Sequence, residues 1–256
     1  MSKKVLIGIG VVGILVIVIA AAYVLRPTAE ASMPIEAIPV EVEQPAAEEP
    51  EAVVNEAASA EDDAEMSAAE EADTKGSEGV IVFSIVQAES EVRFTLDELL
   101  RGAPTTVVGV TNQVAGEVAI DPAAPANSKV GMISINARTF VTDNNFRNRA
   151  INNEILETDE FEFVTFTPTA ITEFPENPEI GQALEFQIAG DLTIRDITNE
   201  VTFDVVVTVV SETRIEGYAS AYVARGDYDL VIPSVPSVAD VDEEVLIEID
   251  FVAVTE

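Results

Sequence analysis

Apolar and polar residues alternate along most of the chain after residue 80, and this predicts β-strands with one buried and one solvated face. The clearest run extends from Val201 to Val209, where apolar side chains occupy every second position. Residues 92–96, 184–188 and 245–251 repeat the pattern. A period of two residues is typical of antiparallel strands that cover a core on one side only. Less regular strands are predicted at about 80–86, 105–120, 130–137, 161–171 and 214–224.

One interval departs from this alternation and predicts a short helix. Between Asp143 and Glu157 apolar residues recur at four-residue spacing, for example at Ile151 and Ile155. Asp143 or Asn144 can cap such a helix at its start. The expected fold is therefore all-β, an antiparallel eight-stranded barrel with one short helix beside it or closing one end. Closure would remove the exposed strand edges that invite aggregation.

Residues 1–26 are predicted to be a membrane anchor. The run from Val5 to Leu25 has 21 residues and no charge, and a helix of that length spans roughly 31 Å, about the hydrocarbon thickness of a bilayer. Lys3 and Lys4 place the N-terminus in the cytoplasm by the positive-inside rule. The expected location is the cell membrane, with a single transmembrane helix and an extracytoplasmic C-terminal domain. The alternative is a cleaved signal peptide, for which the alanines at 20–22 could supply the cleavage site.

Residues 27–79 are predicted to be a disordered acidic linker, and residues 80–256 the folded domain. The linker is rich in Ala, Glu and Pro, has no aromatic residue, and carries sixteen acidic residues against one lysine. Such a segment cannot bury enough apolar surface to offset the entropy lost on ordering. As a flexible coil it would span about 40 Å between the membrane and the domain.

Composition narrows the classes of function. The chain has 13 Lys and Arg against 47 Asp and Glu, a net charge of −34, so the phosphates of nucleic acids would be repelled. It has no His and no Cys, which excludes histidine-based catalytic triads, thiolate nucleophiles and the usual zinc sites. We predict no catalytic residue, metal site or cofactor, and the composition favours binding or scaffolding.

Several strings in the folded part resemble the YceI-like family of bacterial lipid-binding proteins. The most specific lies between Ala189 and Phe203, where a Gly-Asp-Leu-Thr-Ile string is followed by a turn and Val-Thr-Phe. The resemblance implies a lipocalin-like barrel whose interior binds a long polyisoprenoid. Where the family's helix has Asp and His, this chain has Asn148 and Ala150, so the family's head-group contacts are not implied here. The other similar strings are Phe83–Phe94, Val114–Asp121, Phe146–Phe166 and Arg225–Leu230.

Candidate binding residues fall into two groups, an apolar lining and a set that could meet a polar head group. The alternative for the lining residues is that they pack against one another in a solid core. The alternative for the arginines is a structural ion pair with one of the many carboxylates. The candidate lining residues are Phe94, Ile133, Ile135, Phe146, Ile151, Phe166, Phe186, Ile188, Phe203 and Val205, and the head-group candidates are Arg147, Asn148, Arg149 and Arg225.

These observations predict a membrane-tethered, extracytoplasmic and non-enzymatic protein that sequesters or carries a polyisoprenoid, such as a quinone or polyprenyl compound, in its barrel. The alternative is a structural or adhesive β domain displayed on the surface, with a solid core and no ligand. A hydrolase would need paired Asp or Glu side chains facing a cavity. The sequence makes no prediction of oligomeric state.

Overall fold

The computed structural model describes residues 27, 29–32, 35–40, 79–172, 174–175 and 179–255. The predicted membrane helix at 5–25 and most of the predicted linker lie outside these residues. Among the residues that are described, none belongs to a helix both long enough and apolar enough to cross a bilayer.

Thirteen strands in the described residues form one antiparallel sheet, which curls into a half-barrel. The count differs from the eight strands expected, because long alternating runs bend and change hydrogen-bonding partners. The predicted strand at 105–120 becomes three strands, and the one at 130–137 becomes two. The strands are β1 Ile81–Ile85, β2 Glu91–Leu100, β3 Ala103–Thr111, β4 Val114–Ala115, β5 Glu117–Ile120, β6 Lys129–Val130, β7 Ile133–Asn136, β8 Phe163–Thr172, β9 Ala183–Ile194, β10 Ile197–Ser211, β11 Arg214–Ala224, β12 Val238–Ala239 and β13 Glu244–Val254.

The sheet curves where one stretch of chain pairs with several different strands in turn. Strands β3, β4 and β5 follow one another directly, yet they pair with β2, β7 and β1 respectively. β13 pairs with β11 along one edge, and along the other it pairs first with β2 and then with β1. The strands from β7 to β11 form a continuous antiparallel series in the order β7-β8-β9-β10-β11. The inner face of this sheet is the concave one.

Burial follows the predicted alternation along the central strands. In β9, Leu184, Phe186 and Ile188 are buried, and the residues between them are more exposed. Gly190 continues this inward series without a side chain, because a Cβ atom there would lie 2.6 Å from the carbonyl oxygen of Thr167. The glycine of the most specific sequence string therefore allows close approach of β8, where the pairing of the two strands is irregular.

The predicted helix is present and begins as expected. Helix α1 covers Asn145–Ala150 and continues as a π-helical turn over Ile151–Ile155. The side-chain oxygen of Asn144 accepts hydrogen bonds from the main-chain N–H groups of Phe146 at 2.8 Å and Arg147 at 3.3 Å. Of the two candidate caps, Asn144 is the one used. The helical segment packs across one end of the half-barrel, with Ile151 facing inward.

Part of the predicted linker lies against the barrel, contrary to the expectation of a disordered tether over these residues. We call residues 29–32 and 35–40 the strap. Ile35 is buried, with 8% of its surface exposed, and its carbonyl oxygen accepts a hydrogen bond from Gln87 at 2.7 Å. The N–H of Val40 donates to the carboxylate of Glu117 at 3.0 Å. The sequence of the strap has no periodic pattern. Its main-chain groups form hydrogen bonds with side chains of distant residues instead of with a neighbouring strand or helical turn.

Glu162 is the main attachment point of the strap. Its carboxylate accepts hydrogen bonds from the main-chain N–H of Ser32 at 2.6 Å and from the Ser32 hydroxyl at 2.9 Å. It also accepts one from Asn136 and forms a 2.8 Å ion pair with Arg138. Burial acts to raise the pKa of Glu162, but the hydrogen bonds from Ser32 and Asn136 and the charge of Arg138 together hold that pKa below its ordinary value.

Because the folded-state pKa of Glu162 is depressed, its stabilising contribution should be complete at neutral pH and decline as the pH falls below about 4. Replacing Glu162 by Ala should free the strap and lower the free energy of unfolding by about 2 kcal/mol at pH 7. Hydrogen exchange at residues 29–40 would detect the release, and denaturant unfolding would measure the loss. The exposed neighbour Glu160, replaced by Ala, is the matched control. A stability difference between wild type and E162A that stays constant down to pH 3 would contradict this account.

Candidate functional site

The concave face of the sheet encloses a cavity of about 510 Å³. This volume lies within the range of small-molecule binding pockets. Its walls are the inward positions of the strands, and its end is covered by α1, the π-helical turn and the connection between residues 229 and 243. The apolar strand residues that line it are Val92, Phe94, Leu96, Leu100, Val107, Ile135, Val164, Phe166, Leu192, Ile194, Phe203, Val223, Val245, Ile247 and Ile249.

A second cavity of about 130 Å³ lies further along the same face and has an apolar lining. Phe166, Phe203 and Ile249 line both cavities. The rings of Phe166 and Phe203 meet edge to face, with centroids 4.9 Å apart, which is a favourable geometry for an aromatic pair. These two rings therefore form part of the partition between a larger and a smaller apolar space.

The larger cavity reaches the surface where its lining residues are exposed, and we call this part the mouth. The exposed residues of its lining mark this opening: Arg101 at the turn between β2 and β3, Asn144 and Phe146 at the start of α1, and Val235 and Ser237 in the connection before β12. Phe146 is 72% exposed although it also lines the cavity. A ligand with an apolar tail and a polar end could therefore place its tail inside and its polar end at the mouth.

An ion pair lies in the wall of this mostly apolar cavity. The guanidinium Nη2 of Arg147 lies 2.8 Å from Oε1 of Glu98, and the two side chains are 15% and 7% exposed. Arg147 also pairs with the exposed carboxylate of Asp143. Leaving either member of a buried pair without its partner is costly. The pair therefore holds α1 against β2 and supplies polar groups close to the mouth.

A second arginine of the lining holds the covering connection in place. Arg225 pairs with Glu243 at 2.9 Å, and it donates hydrogen bonds to the carbonyl oxygens of Leu230 and Asp242 at 3.2 and 3.1 Å. Both ends of the stretch 229–243 are thus fixed to one side chain. Arg147 and Arg225 therefore each form a structural ion pair and also line the larger cavity.

All ten candidate lining residues lie on one or other cavity. Ile133, Phe186, Ile188 and Val205 line the smaller cavity only, and Phe166 and Phe203 line both. Most of the ten also belong to the packed hydrophobic core, so they fill the interior and border a cavity at the same time. The candidates that line the larger cavity are Phe94, Ile135, Phe146, Ile151, Phe166 and Phe203.

The head-group candidates divide into two pairs. Arg147 and Arg225 line the larger cavity, but Asn148 and Arg149 line neither cavity. The side-chain oxygen of Asn148 instead accepts hydrogen bonds from the main-chain N–H and the hydroxyl of Thr142, at 2.8 and 2.7 Å. Arg149 is exposed on the outer side of α1. Asn148 therefore stabilises the start of the helix.

Two parts of the lining were not predicted from the sequence. Glu98 lies in phase with Val92 and Phe94 on β2, so a charged residue at an inward position was a signal that could have revealed it. The stretch 230–241 has no alternation and no strand before β12, and no local pattern marks it as cavity lining.

The chemistry available in the larger cavity is that of binding. Within the described residues its lining contains one carboxylate, Glu98, so hydrolysis by paired carboxylates has no second group there. No group of three or more Asp or Glu side chains among the described residues is arranged to hold a metal ion.

Comparison with known proteins gives consistent matches. A model of the YceI-like domain matches residues 83–253. A UPF0312 protein of Staphylococcus aureus strain MRSA252 is 30% identical over 139 residues, which cover 53% of this chain and 70% of the relative. A polyisoprenoid binding domain from Saccharophagus degradans, implicated in plant cell wall breakdown, superposes with a TM-score of 0.54 at 15% identity, covering 69% of this chain and 99% of that chain. BcnA of Burkholderia cenocepacia superposes with a TM-score of 0.51 at 20% identity, covering 66% and 98%.

Replacing Arg147 by Met should leave Glu98 buried without its cation and lower the free energy of unfolding by about 3 kcal/mol. The double variant R147M/E98L should regain most of this loss, because two apolar side chains need no partner. Asp143→Asn, which removes only the exposed partner, should cost less than about 1 kcal/mol. Denaturant unfolding of all three variants is the measurement. An R147M variant no less stable than D143N would show that the pair does not support this end of the barrel.

Proposed function

The chain belongs to the YceI-like domain family, and on that premise we propose that it binds a lipid with a polyisoprenoid tail, such as a quinone or polyprenyl compound, in its half-barrel. The observation that carries the proposal is the mostly apolar cavity of about 510 Å³ with a partly polar mouth. The similar domain of Saccharophagus degradans is described as polyisoprenoid binding, which supports the same class of ligand here.

The energetics of such binding depend on apolar area. Burying 300 Å² of a ligand's apolar surface contributes about 7 kcal/mol at roughly 25 cal/mol per Å². Part of this favourable free energy offsets the translational and rotational freedom that the ligand loses on binding. A lined cavity therefore needs few polar contacts to bind a long hydrocarbon chain, and the described lining offers few.

The polar end of the ligand would meet the groups near the mouth. The carboxylate of Glu98 and the guanidinium of Arg147 line the cavity there, and each already satisfies the other's charge. A neutral head group that both accepts and donates hydrogen bonds suits this pair better than a second anion. A hydroxyl group, or a quinone ring that also carries a hydroxyl group, meets this requirement. The alternative head group is a phosphate, which would have to displace Glu98 from Arg147.

Membrane tethering and an extracytoplasmic location are further parts of the proposal. They rest on the uncharged run Val5–Leu25 and on Lys3 and Lys4 before it. An anchored protein is close to the bilayer from which a polyisoprenoid comes. In this role the protein is a non-enzymatic carrier or store of the lipid.

Organic extraction of the purified full chain followed by mass spectrometry should yield a bound lipid. Val223 lines the larger cavity and is 8% exposed, so Val223→Phe should fill part of the cavity and lower the amount of bound lipid at least threefold. Val206, on the outer face of β10 and 38% exposed, provides the matched control V206F. V223F should fold at least as well as wild type, because it fills a cavity. If wild type yields no lipid and takes up neither added quinone nor prenol, the proposed function is wrong.

A further inference from the structure

Three exposed apolar side chains lie on the two segments that cover the larger cavity, and we call them the rim. Phe146 and Val231 are each 72% exposed, and Val235 is 44% exposed. Phe146 belongs to α1, and the two valines belong to the connection that covers the cavity. Phe146 and Val235 also line the cavity, so each presents apolar surface both to the interior and to solvent.

We propose that the rim contacts the lipid bilayer, and that the strap holds this end of the half-barrel against the membrane. The proposal rests on the proposed function, since it gives the lipid a path between bilayer and cavity. A long apolar tail that moved through water would lose the stabilisation that burial provides. With the rim in contact with the bilayer, the tail passes from one apolar environment to another.

The strap carries the argument for the bilayer as the partner. The N–H of Ala29 donates to Asp159 at 3.1 Å, and Arg138 donates to the carbonyl oxygen of Glu30 at 3.1 Å. Only four residue steps separate Ala29 from Leu25, the last residue of the predicted membrane helix. Four steps of extended chain reach at most about 14 Å. The membrane surface is therefore held within about that distance of Asp159, although the predicted linker has 53 residues.

The attachment site of the strap lies at the same end of the half-barrel as the mouth. Asp159 follows closely after Ile155 and Leu156, which line the larger cavity. The helical segment Asn145–Ile155 spans this end, at about 1.5 Å per residue roughly 17 Å from start to finish. Phe146 lies at its beginning and the strap attaches just beyond its end. The distance between a membrane close to Asp159 and the rim is thus no more than about the length of this short helix.

Charge favours apolar contact over electrostatic attraction as the basis of docking. The chain carries −34, and anionic lipids repel an acidic protein. The three rim side chains have no charge and can enter the interface between head groups and acyl chains. The expected partner is thus a bilayer of zwitterionic lipid, and adding anionic lipid should not strengthen the contact.

The natural absence of Trp makes the rim directly measurable. Phe146→Trp places a single fluorophore at the rim of the full chain. Ile180→Trp is the matched control, because Ile180 is 62% exposed and lies in the connection between β8 and β9, beside the smaller cavity and away from the mouth. Both variants would be reconstituted in phosphatidylcholine vesicles, with and without brominated acyl chains. Circular dichroism would establish that both are folded.

The expected result is a blue-shifted emission of the F146W fluorophore that brominated lipid quenches at least threefold more than that of I180W. Equal quenching of the two, or none at F146W, would overturn the proposal. Mass spectrometry of the same samples separates the two levels of inference. Bound lipid without quenching at F146W rejects the rim and leaves the lipid-binding function in place. Quenching without any bound lipid rejects the function and retains the membrane contact.

The contribution of the strap is tested in the F146W chain. Glu162→Ala removes the carboxylate that holds Ser32, and it should reduce quenching at the rim by at least half. Glu160→Ala removes an exposed carboxylate from the same connection, and quenching should stay at the F146W level. Equal quenching in E162A and E160A would overturn the orienting role of the strap.

Discussion

The shape of this protein depends on the curvature of one antiparallel sheet, which bends its apolar face inward around a packed core and leaves a cavity of about 510 Å³ beside that core. The bend arises because β3, β4 and β5 each pair with a different strand within one short stretch. Half-buried residues on β13, such as Ile247 and Ile249, pack against the core and also border the larger cavity. An apolar space of this kind lacks the packing contacts that a filled interior makes.

The covered end of the half-barrel is held by polar contacts, in contrast to its apolar wall. Glu98 and Arg147 hold α1 to β2, and Arg225 holds both ends of the connection over the cavity. Such contacts have defined directions, so they position the covering segments relative to the strands. The apolar wall can adapt to different tails, since its contacts are not directional. We therefore expect the polar groups at the mouth to determine which head group is bound, and the apolar wall to accept different tails.

Local pattern was sufficient to predict the parts of this structure that depend on neighbouring residues. The alternation around Phe203 and the cap at Asn144 each involve groups a few residues apart, and both are confirmed. Asn148 was a head-group candidate because of its position in a matching string, yet it bonds to Thr142. The strap could not be predicted, because Ser32 meets a carboxylate 130 positions away. The number of strands was wrong where bending, which has no signature in alternation, splits a run.

The strap also changes what the acidic stretch between it and β1 can do. Val40 and Ile81 both contact the same domain, so both ends of this stretch are attached to the barrel. The free energy of closing such an excursion rises only slowly with its length. Insertions or deletions there would leave the contacts of Ser32 and Val40 with the barrel unaltered. Natural selection can therefore vary this stretch in size and charge, for instance to adjust solubility or to keep neighbouring proteins at a distance, without moving the opening of the cavity.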